Sequence, residues 1–372
     1  MEYERKRKEK NPVLAICYDF DKTLSPDDMQ AQGYIQSVGY DVTQFWQESN
    51  GMAQKNAMDT NLAYMFNMVD KAEGSLVFNK KALEDYGSRV ALFPGVDTWF
   101  DRIRKYGKER NVIVEHYIIS SGLKEMIEGT AIAKRGAFEK IYASSFYYND
   151  RGVAKWPAQV VNYTNKTQFL FRIEKGVLDV SDPGVNEYFP PEELRVPFRN
   201  IVYIGDSATD IPCMKLVNTY GGHSIGVYNP ETANKSSVYQ MMRDRRIRYF
   251  APANYTDDSE LDALVKSIID KTAAYEILEN IHVQNLLETR DAERKATANI
   301  SIQKAKQLEA NVQTPIANMM NLASALSKAI GTIQDVYSSN IAQAITAAFY
   351  PDEQINAMEE EKPDDKGAEH GE

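Results

Sequence analysis

Cysteine is nearly absent. Cys17 and Cys213 are the only two in 372 residues, and both lie inside apolar segments, which excludes a disulfide framework and predicts free buried thiols. With four histidines and two such cysteines, no His/Cys metal set is on offer. No apolar run approaches the ~18 residues that cross a bilayer. The first ten residues mix basic and acidic side chains rather than forming a secretory signal. A cytoplasmic protein with no membrane partner is therefore expected. Positive charge is also short, 43 Lys+Arg against 53 Asp+Glu for a formal net charge of -10, which argues against nucleic acid as a partner. The locally basic stretch Arg5-Lys6-Arg7-Lys8 reads as a solvated, frayed end.

What is present is alternation. Strand-like runs at Val13 to Tyr18, Val112 to Ile119, Lys140 to Ala143, Ile201 to Ile204, Ser224 to Tyr228 and Arg248 to Ala251 are separated by helical patterns, the signature of βαβ units and a mostly parallel sheet. Residues 27–90 carry a helical period in Leu62, Met65, Phe66 and Val69 and little that reads as strand, so an all-helical insertion is expected there. Its methionines Met52, Met58, Met65 and Met68 are read as core. Trp99, Ile103 and Tyr106 mark a helix returning the chain to the sheet. The pairs Phe146-Tyr147-Tyr148 and Trp156-Pro157 suggest a hairpin or loop with aromatic packing.

Leu261, Leu264, Val265, Ile268 and Ile269 form an amphipathic stripe suited to a last helix on the sheet. From about Glu279 to Phe349 helical pattern continues, read as one long helix followed by another, with Thr314-Pro315 as an N-cap and Pro351 as a stop. Such helices should pack back on the domain or against another chain, which would make the protein a homo-oligomer through its C-terminal helices. The organisation expected is a core over 11–26 and 91–278, a helical insertion over 27–90, a helical extension over 279–350 and an acidic disordered tail over 351–372.

The reactive groups collect at strand ends. Asp19 and Asp21 follow the first strand and Ser120-Ser121-Gly122 the second, the latter suited to binding a phosphate through a hydroxyl and helix N-terminal amides. After the fourth run, Asp206 and Asp210 stand four residues apart on a loop entering a helix, where they can converge on one hard cation or cap the helix. Lys166 precedes the amphipathic run Phe169 to Ile173 and by itself reads as an exposed lysine. His223 and the pair Asn254-Tyr255 are read as turn and capping residues.

Taken in order, Asp19-Phe20-Asp21-Lys22-Thr23-Leu24, Ile118-Ile119-Ser120, Lys166, and Gly205-Asp206 through Asp210 resemble the four motifs of the haloacid-dehalogenase-like (HAD) superfamily, specifically its phosphatases, over about residues 13 to 255. The insertion resembles the C1-type helical cap of the phosphoserine-phosphatase-like branch. The resemblance implies an α/β fold, a Rossmann-like mostly parallel sheet with that cap, and a Mg²⁺-dependent phosphohydrolase acting on a small phosphorylated metabolite. It implies Asp19 as nucleophile and Asp21 as general acid/base. Thr23, Ser120, Ser121, Gly122 and Lys166 would be the phosphate-binding set, with Thr23 supporting the nucleophile loop. The metal set would be Asp19, Asp21 through its backbone carbonyl, Asp206, and Asp210 through water or by orienting Lys166. Dehalogenases that resemble this fold lack the second aspartate. Asp21-Lys22-Thr23 also resembles the phosphorylation site of ion-pumping ATPases, which need membrane helices. A phosphotransferase or mutase of the same superfamily, or a non-catalytic scaffold working through the C-terminal helices, are the alternative readings.

Overall fold

The computed structural model describes residues 3–74, 76–310 and 317–333. Expectations for Thr314-Pro315, Pro351 and the acidic segment 351–372 lie outside them. Strands β1 (Val13–Tyr18), β2 (Ile113–Leu123), β3 (Lys140–Tyr148), β4 (Ala154–Gln159), β5 (Ile201–Gly205), β6 (His223–Tyr228) and β7 (Tyr249–Pro252) form one sheet in the order β4-β3-β2-β1-β5-β6-β7. All pairings are parallel except β3 with β4. The six expected strands are present. The aromatic segment is a hairpin whose second arm, β4, is an edge strand, the one place in a sheet that tolerates Pro157. β1 is buried on both faces, Leu14, Ile16 and Tyr18 in one core and Val13, Ala15 and Cys17 in the other, which is why it reads as a continuous apolar run.

Between β1 and β2 come α1 (Tyr34–Ser37), α2 (Val42–Asn56), α3 (Thr60–Ala72), α4 (Lys80–Gly87) and α5 (Val96–Lys108). Side chains of Asp41, Asp59 and Asn79 cap α2, α3 and α4 by accepting from backbone amides, so each helix starts where a capping residue stands. Met65 and Met68 are core, as expected, whereas Met52 and Met58 are only part-buried and lie outside it. α5 packs Trp99, Phe100 and Ile103 on one sheet face. After β2 come α6 (Lys124–Gly129) and α7 (Ala131–Lys134); α8 (Thr167–Lys175), α9 (Ile211–Thr219) and α10 (Ser236–Arg243) cover the other face through Phe169, Leu170, Met214, Val217 and Met241.

The last helices are α11 (Glu260–Ala310) and α12 (Ala317–Ile333). Leu261, Val265, Ile268 and Ile269 belong to the core, but they open a single 51-residue helix rather than a separate one. Residues 260–310 contain neither glycine nor proline, so nothing in the chain ends the helix once the core has been passed. The chain divides into two compact units, Met1–Glu279 and Asn280–Glu372.

The basic start is not frayed. The Lys6 amide donates to the Gly176 carbonyl (2.9 Å), and Arg5 donates to the Lys175 carbonyl (2.8 Å) with its guanidinium 3.6 Å over the Phe189 ring. Arg195, 2 % exposed, explains the docking: its guanidinium meets Glu115 at 2.7 Å and Glu9 at 2.9 Å, and a buried cation needs such partners.

His223 begins β6, at the sheet edge remote from the strand ends discussed below, and its Nε2 lies 3.3 Å from Lys271 Nζ; it stays out of the site. Burial, then Lys271 and Arg248, push it down to about 4. Because the unfolded histidine titrates near 6.5, the unfolded chain takes up this proton first as pH falls, so stability is lost below ~6.5 and until about 4. Chemical denaturation at pH 7 and pH 5 should show wild type losing about 2 kcal/mol more than His223→Gln over that interval. Parallel losses would contradict it.

Candidate active site

The carboxyl ends of β1, β2 and β5 meet where the sheet order reverses around β1, the place at which open α/β sheets hold their ligands. The Asp19 amide extends β1 by donating to the Ile204 carbonyl (2.9 Å). The chain then turns tightly: the Phe20 carbonyl accepts from the amides of Thr23, Leu24 and Ser25 at 3.3, 2.9 and 3.1 Å. Lys22 takes the left-handed conformation (φ 57) that this turn demands, a strained choice for a side-chain-bearing residue. The Tyr255 hydroxyl holds the turn from below, donating to the Thr23 carbonyl (2.9 Å), so Tyr255 does more than cap a strand.

Asp19 is 4 % exposed and its Oδ1 accepts from the Phe20 amide (2.8 Å). Oxygens of Asp19, Asp206 and Asp210 lie within 4.8 Å of one another, so the three can share one cation. Neither Asp206 nor Asp210 caps α9 with its side chain. Asp210 Oδ1 accepts from Lys166 Nζ and from the Tyr203 hydroxyl, both at 2.8 Å, while Oδ2 accepts from the Ser207 amide at 3.2 Å. Its oxygens are thereby engaged by the chain itself, and Lys166 is held in place. Gly205 is required here, since a Cβ would stand 2.5 Å from Asp210 Oδ2.

Lys166, exposed by the look of its sequence, is fully buried at the end of a 3₁₀ turn before α8, with Nζ 3.3 Å from Asp19 Oδ2 and 3.4 Å from Thr209 Oγ1 besides Asp210. Burial works to lower its pKa, but Asp19 and Asp210 outweigh it and hold the ammonium charged. Burial and then the Asp210 charge push Asp19 up to about 6. Burial, Asp210 and Asp19 likewise push Asp206 well up. Three converging carboxylates with one lysine are short of positive charge, and every donor is oxygen: the residues fit a hard cation. The second acidic group, Asp257, Asp258 and Asp262, has two exposed members and holds two cations, Lys266 at 2.6 Å from Asp262 and 2.9 Å from Asp257, and Arg102 at 3.2 Å from Asp262.

Asp21 stands apart from the converging set. Its Oδ1 accepts from the Met29 amide (2.8 Å), and burial followed by the Asp28 and Asp19 charges raises it well above the usual carboxylate range. Across from it, β2 slips register between Ser120 and Leu123, bringing the Gly122 amide to Ser120 Oγ (3.1 Å). A Cβ on Gly122 would stand 2.8 Å from Asp21 Oδ2 and 2.3 Å from Met29 Cε, so any side chain here would push both away from their present positions.

These groups open on a cavity of about 190 Å³ lined by Asp19, Asp21, Ser120, Ser121, Gly122 and Asp206. Lys166, Asp210 and Thr23 lie behind its wall; Thr23 Oγ1 reaches Asp206 at 3.5 Å and makes a loop brace rather than part of the lining. The far wall comes from the helical segment: Gln30, Trp46, Asn61 and Tyr64, with Lys22 and Asp28 beside them. Gln30, Trp46, Asn61 and Tyr64 belong to no motif, and no pattern in the chain marks them. Tyr64 is tied in place by donating to the Ser121 carbonyl (2.8 Å).

Residues 16–215 match the model of the haloacid dehalogenase-like hydrolases. The chain belongs to that family. It is 28 % identical over 276 residues to an uncharacterized protein of Borreliella burgdorferi, covering 68 % of this chain and 95 % of that one. In structure it is similar to a HAD family hydrolase of Salmonella enterica serovar Typhi (17 % identity, TM-score 0.46, 70 % of this chain and 73 % of that one). It is also similar to a probable phosphoserine phosphatase of Vibrio cholerae (11 % identity, TM-score 0.45, 72 % and 67 %). Among the described residues of this HAD-like hydrolase, no helix is long and apolar enough to cross a membrane.

Proposed function

We propose that this HAD-like hydrolase is a Mg²⁺-dependent phosphatase that cleaves a small phosphomonoester through an aspartyl-phosphate. The observation that carries the reading is the division between two neighbouring carboxyls: Asp19 buried beside Lys166 (3.3 Å) and Asp21 two residues on, facing the cavity with its pKa raised. Bound by Asp19, Asp206 and the Asp21 carbonyl, Mg²⁺ would supply the positive charge that lets a carboxylate approach an anionic phosphoryl group. Asp19 attacks phosphorus, forming the acyl-phosphate bond as the ester P–O bond breaks. Asp21, whose raised pKa favours its protonated form, gives its proton to the departing alkoxide. It then takes a proton from the water that attacks phosphorus, releasing inorganic phosphate and regenerating Asp19. Ser120 and the backbone around Gly122 hold phosphoryl oxygens. Lys166 contributes by its charge, since its N–H groups already face Asp210, Asp19 and Thr209. Residues 27–90 act as the cap that closes over the substrate.

Purified protein should release alcohol and phosphate from an aryl phosphate when Mg²⁺ is present. Chelation should remove the activity and added Mg²⁺ restore it. Turnover indifferent to chelator, or no hydrolysis of any phosphomonoester, would overturn the proposal.

A further inference from the structure

Resting on the phosphatase reading, we infer that the leaving group is a small uncharged polyol, so that the substrate is a polyol monophosphate of about three or four carbons. The cap-side wall decides this. Gln30, Trp46, Asn61 and Tyr64 carry no charge, and the two ions beside them cancel each other, Lys22 Nζ lying 2.9 Å from Asp28 Oδ2. A carboxylate or ammonium on the leaving group would give up its hydration and find no free counter-charge unless it broke that pair, a cost of several kcal/mol. A hydroxyl meets no such penalty.

The same wall asks for hydroxyls. On this wall Trp46 Nε1, and across from it on β2 Ser121 Oγ, are buried with no hydrogen-bond partner. A buried donor left unpaired costs about 1 to 3 kcal/mol, and such groups are kept where something else completes them. The indole N–H only donates and the serine hydroxyl does either, so an alcohol oxygen answers both. Asn61 has its amide nitrogen committed to the Val161 carbonyl (2.7 Å), which leaves its carbonyl oxygen as an acceptor for an O–H. The Trp46 and Tyr64 rings, edge to face at 5.8 Å, supply apolar surface for the carbon skeleton.

Size sets the length. At about 190 Å³ the cavity falls below the roughly 300 to 1,000 Å³ of pockets that enclose drug-sized ligands. That suits a phosphoryl group on a glycerol- or tetritol-sized chain better than one on a nucleoside.

The test is a matched panel with phosphate release as readout: glycerol phosphate and erythritol phosphate, phosphoserine, phosphoglycerate, phosphoethanolamine, a nucleoside 5′-monophosphate, and an aryl phosphate as control. The polyol esters should exceed every charged ester and the nucleotide in kcat/KM by about tenfold or more. Trp46→Phe, which keeps the ring and removes the N–H, should raise KM for glycerol phosphate by about five- to twentyfold while changing kcat by less than about threefold. A charged ester or the nucleotide matching the polyols would overturn the inference while the aryl phosphate control upholds the phosphatase reading. An unchanged KM in Trp46→Phe would remove the role given to the indole. Failure on the aryl phosphate as well would bring down both readings together.

Discussion

Replacing Asp19 with asparagine is expected to abolish phosphomonoester hydrolysis while leaving the fold in place. A carboxamide has no anionic oxygen to attack phosphorus, and loss of a covalent nucleophile typically costs about 10⁴-fold or more in kcat. Stability should move little. In the native chain Asp19 is crowded by Asp206 and Asp210, and burial together with Asp210 already drives its pKa up to about 6. Asparagine removes that repulsion and gives up the 3.3 Å contact with Lys166, which keeps Asp210 at 2.8 Å. The two effects oppose each other, so the melting temperature should stay within a few degrees of wild type. Thermal melts and phosphate release on the same preparation separate the two quantities. A folded Asp19→Asn protein with wild-type turnover would exclude the acyl-phosphate route.

The motif acids were legible because their chemistry forces them into the chain at strand ends. A carboxylate pair after β1, a serine in β2 and two acids after β5 can serve one site only if a parallel sheet carries them to one edge, so fold and site were read from the same residues. Lys166 was legible only through that joint pattern; alone it looked exposed, and its burial follows from three-dimensional neighbours 44 and 147 residues away, Asp210 and Asp19. The cap-side wall was not legible at all. Trp46, Asn61 and Tyr64 lie on helices whose apolar period is spent on packing, and nothing local separates a residue that faces a cavity from one that faces core. Tyr203 and Tyr255 were hidden for a related reason: the first reads as an ordinary apolar strand residue and the second as a capping one until their hydroxyls are seen on Asp210 and on the Thr23 carbonyl. The docking of Arg5 and Lys6 depended on a buried Arg195 almost 190 residues downstream, beyond the reach of any local pattern.

Lys166→Met should be the most destabilising single change in the site. Methionine matches the length of the lysine stem, so packing is largely kept and the loss is electrostatic. Lys166 is fully buried, and its ammonium is the only side-chain cation within 4 Å of Asp19 or Asp210 among the described residues. Removing one partner of a buried ionic group strands the others and costs about 3 to 5 kcal/mol, far more than the 0 to 1 kcal/mol of an exposed pair. The cost belongs to the stranded anions, and two further measurements follow from that. Adding Asp210→Asn to the methionine variant should return about 1 to 3 kcal/mol, because the amide removes an anion with no counter-charge and still accepts from the Tyr203 hydroxyl. Saturating Mg²⁺ should raise the stability of Lys166→Met by more than it raises that of wild type, since a cation at the three carboxylates relieves the same excess of negative charge. Denaturant unfolding of the four proteins of the cycle, in chelator and in Mg²⁺, reads all of this out. Additive losses in the cycle, or equal stabilisation of variant and wild type by Mg²⁺, would show that the lysine acts by packing rather than by balancing the carboxylates on which the proposed chemistry depends.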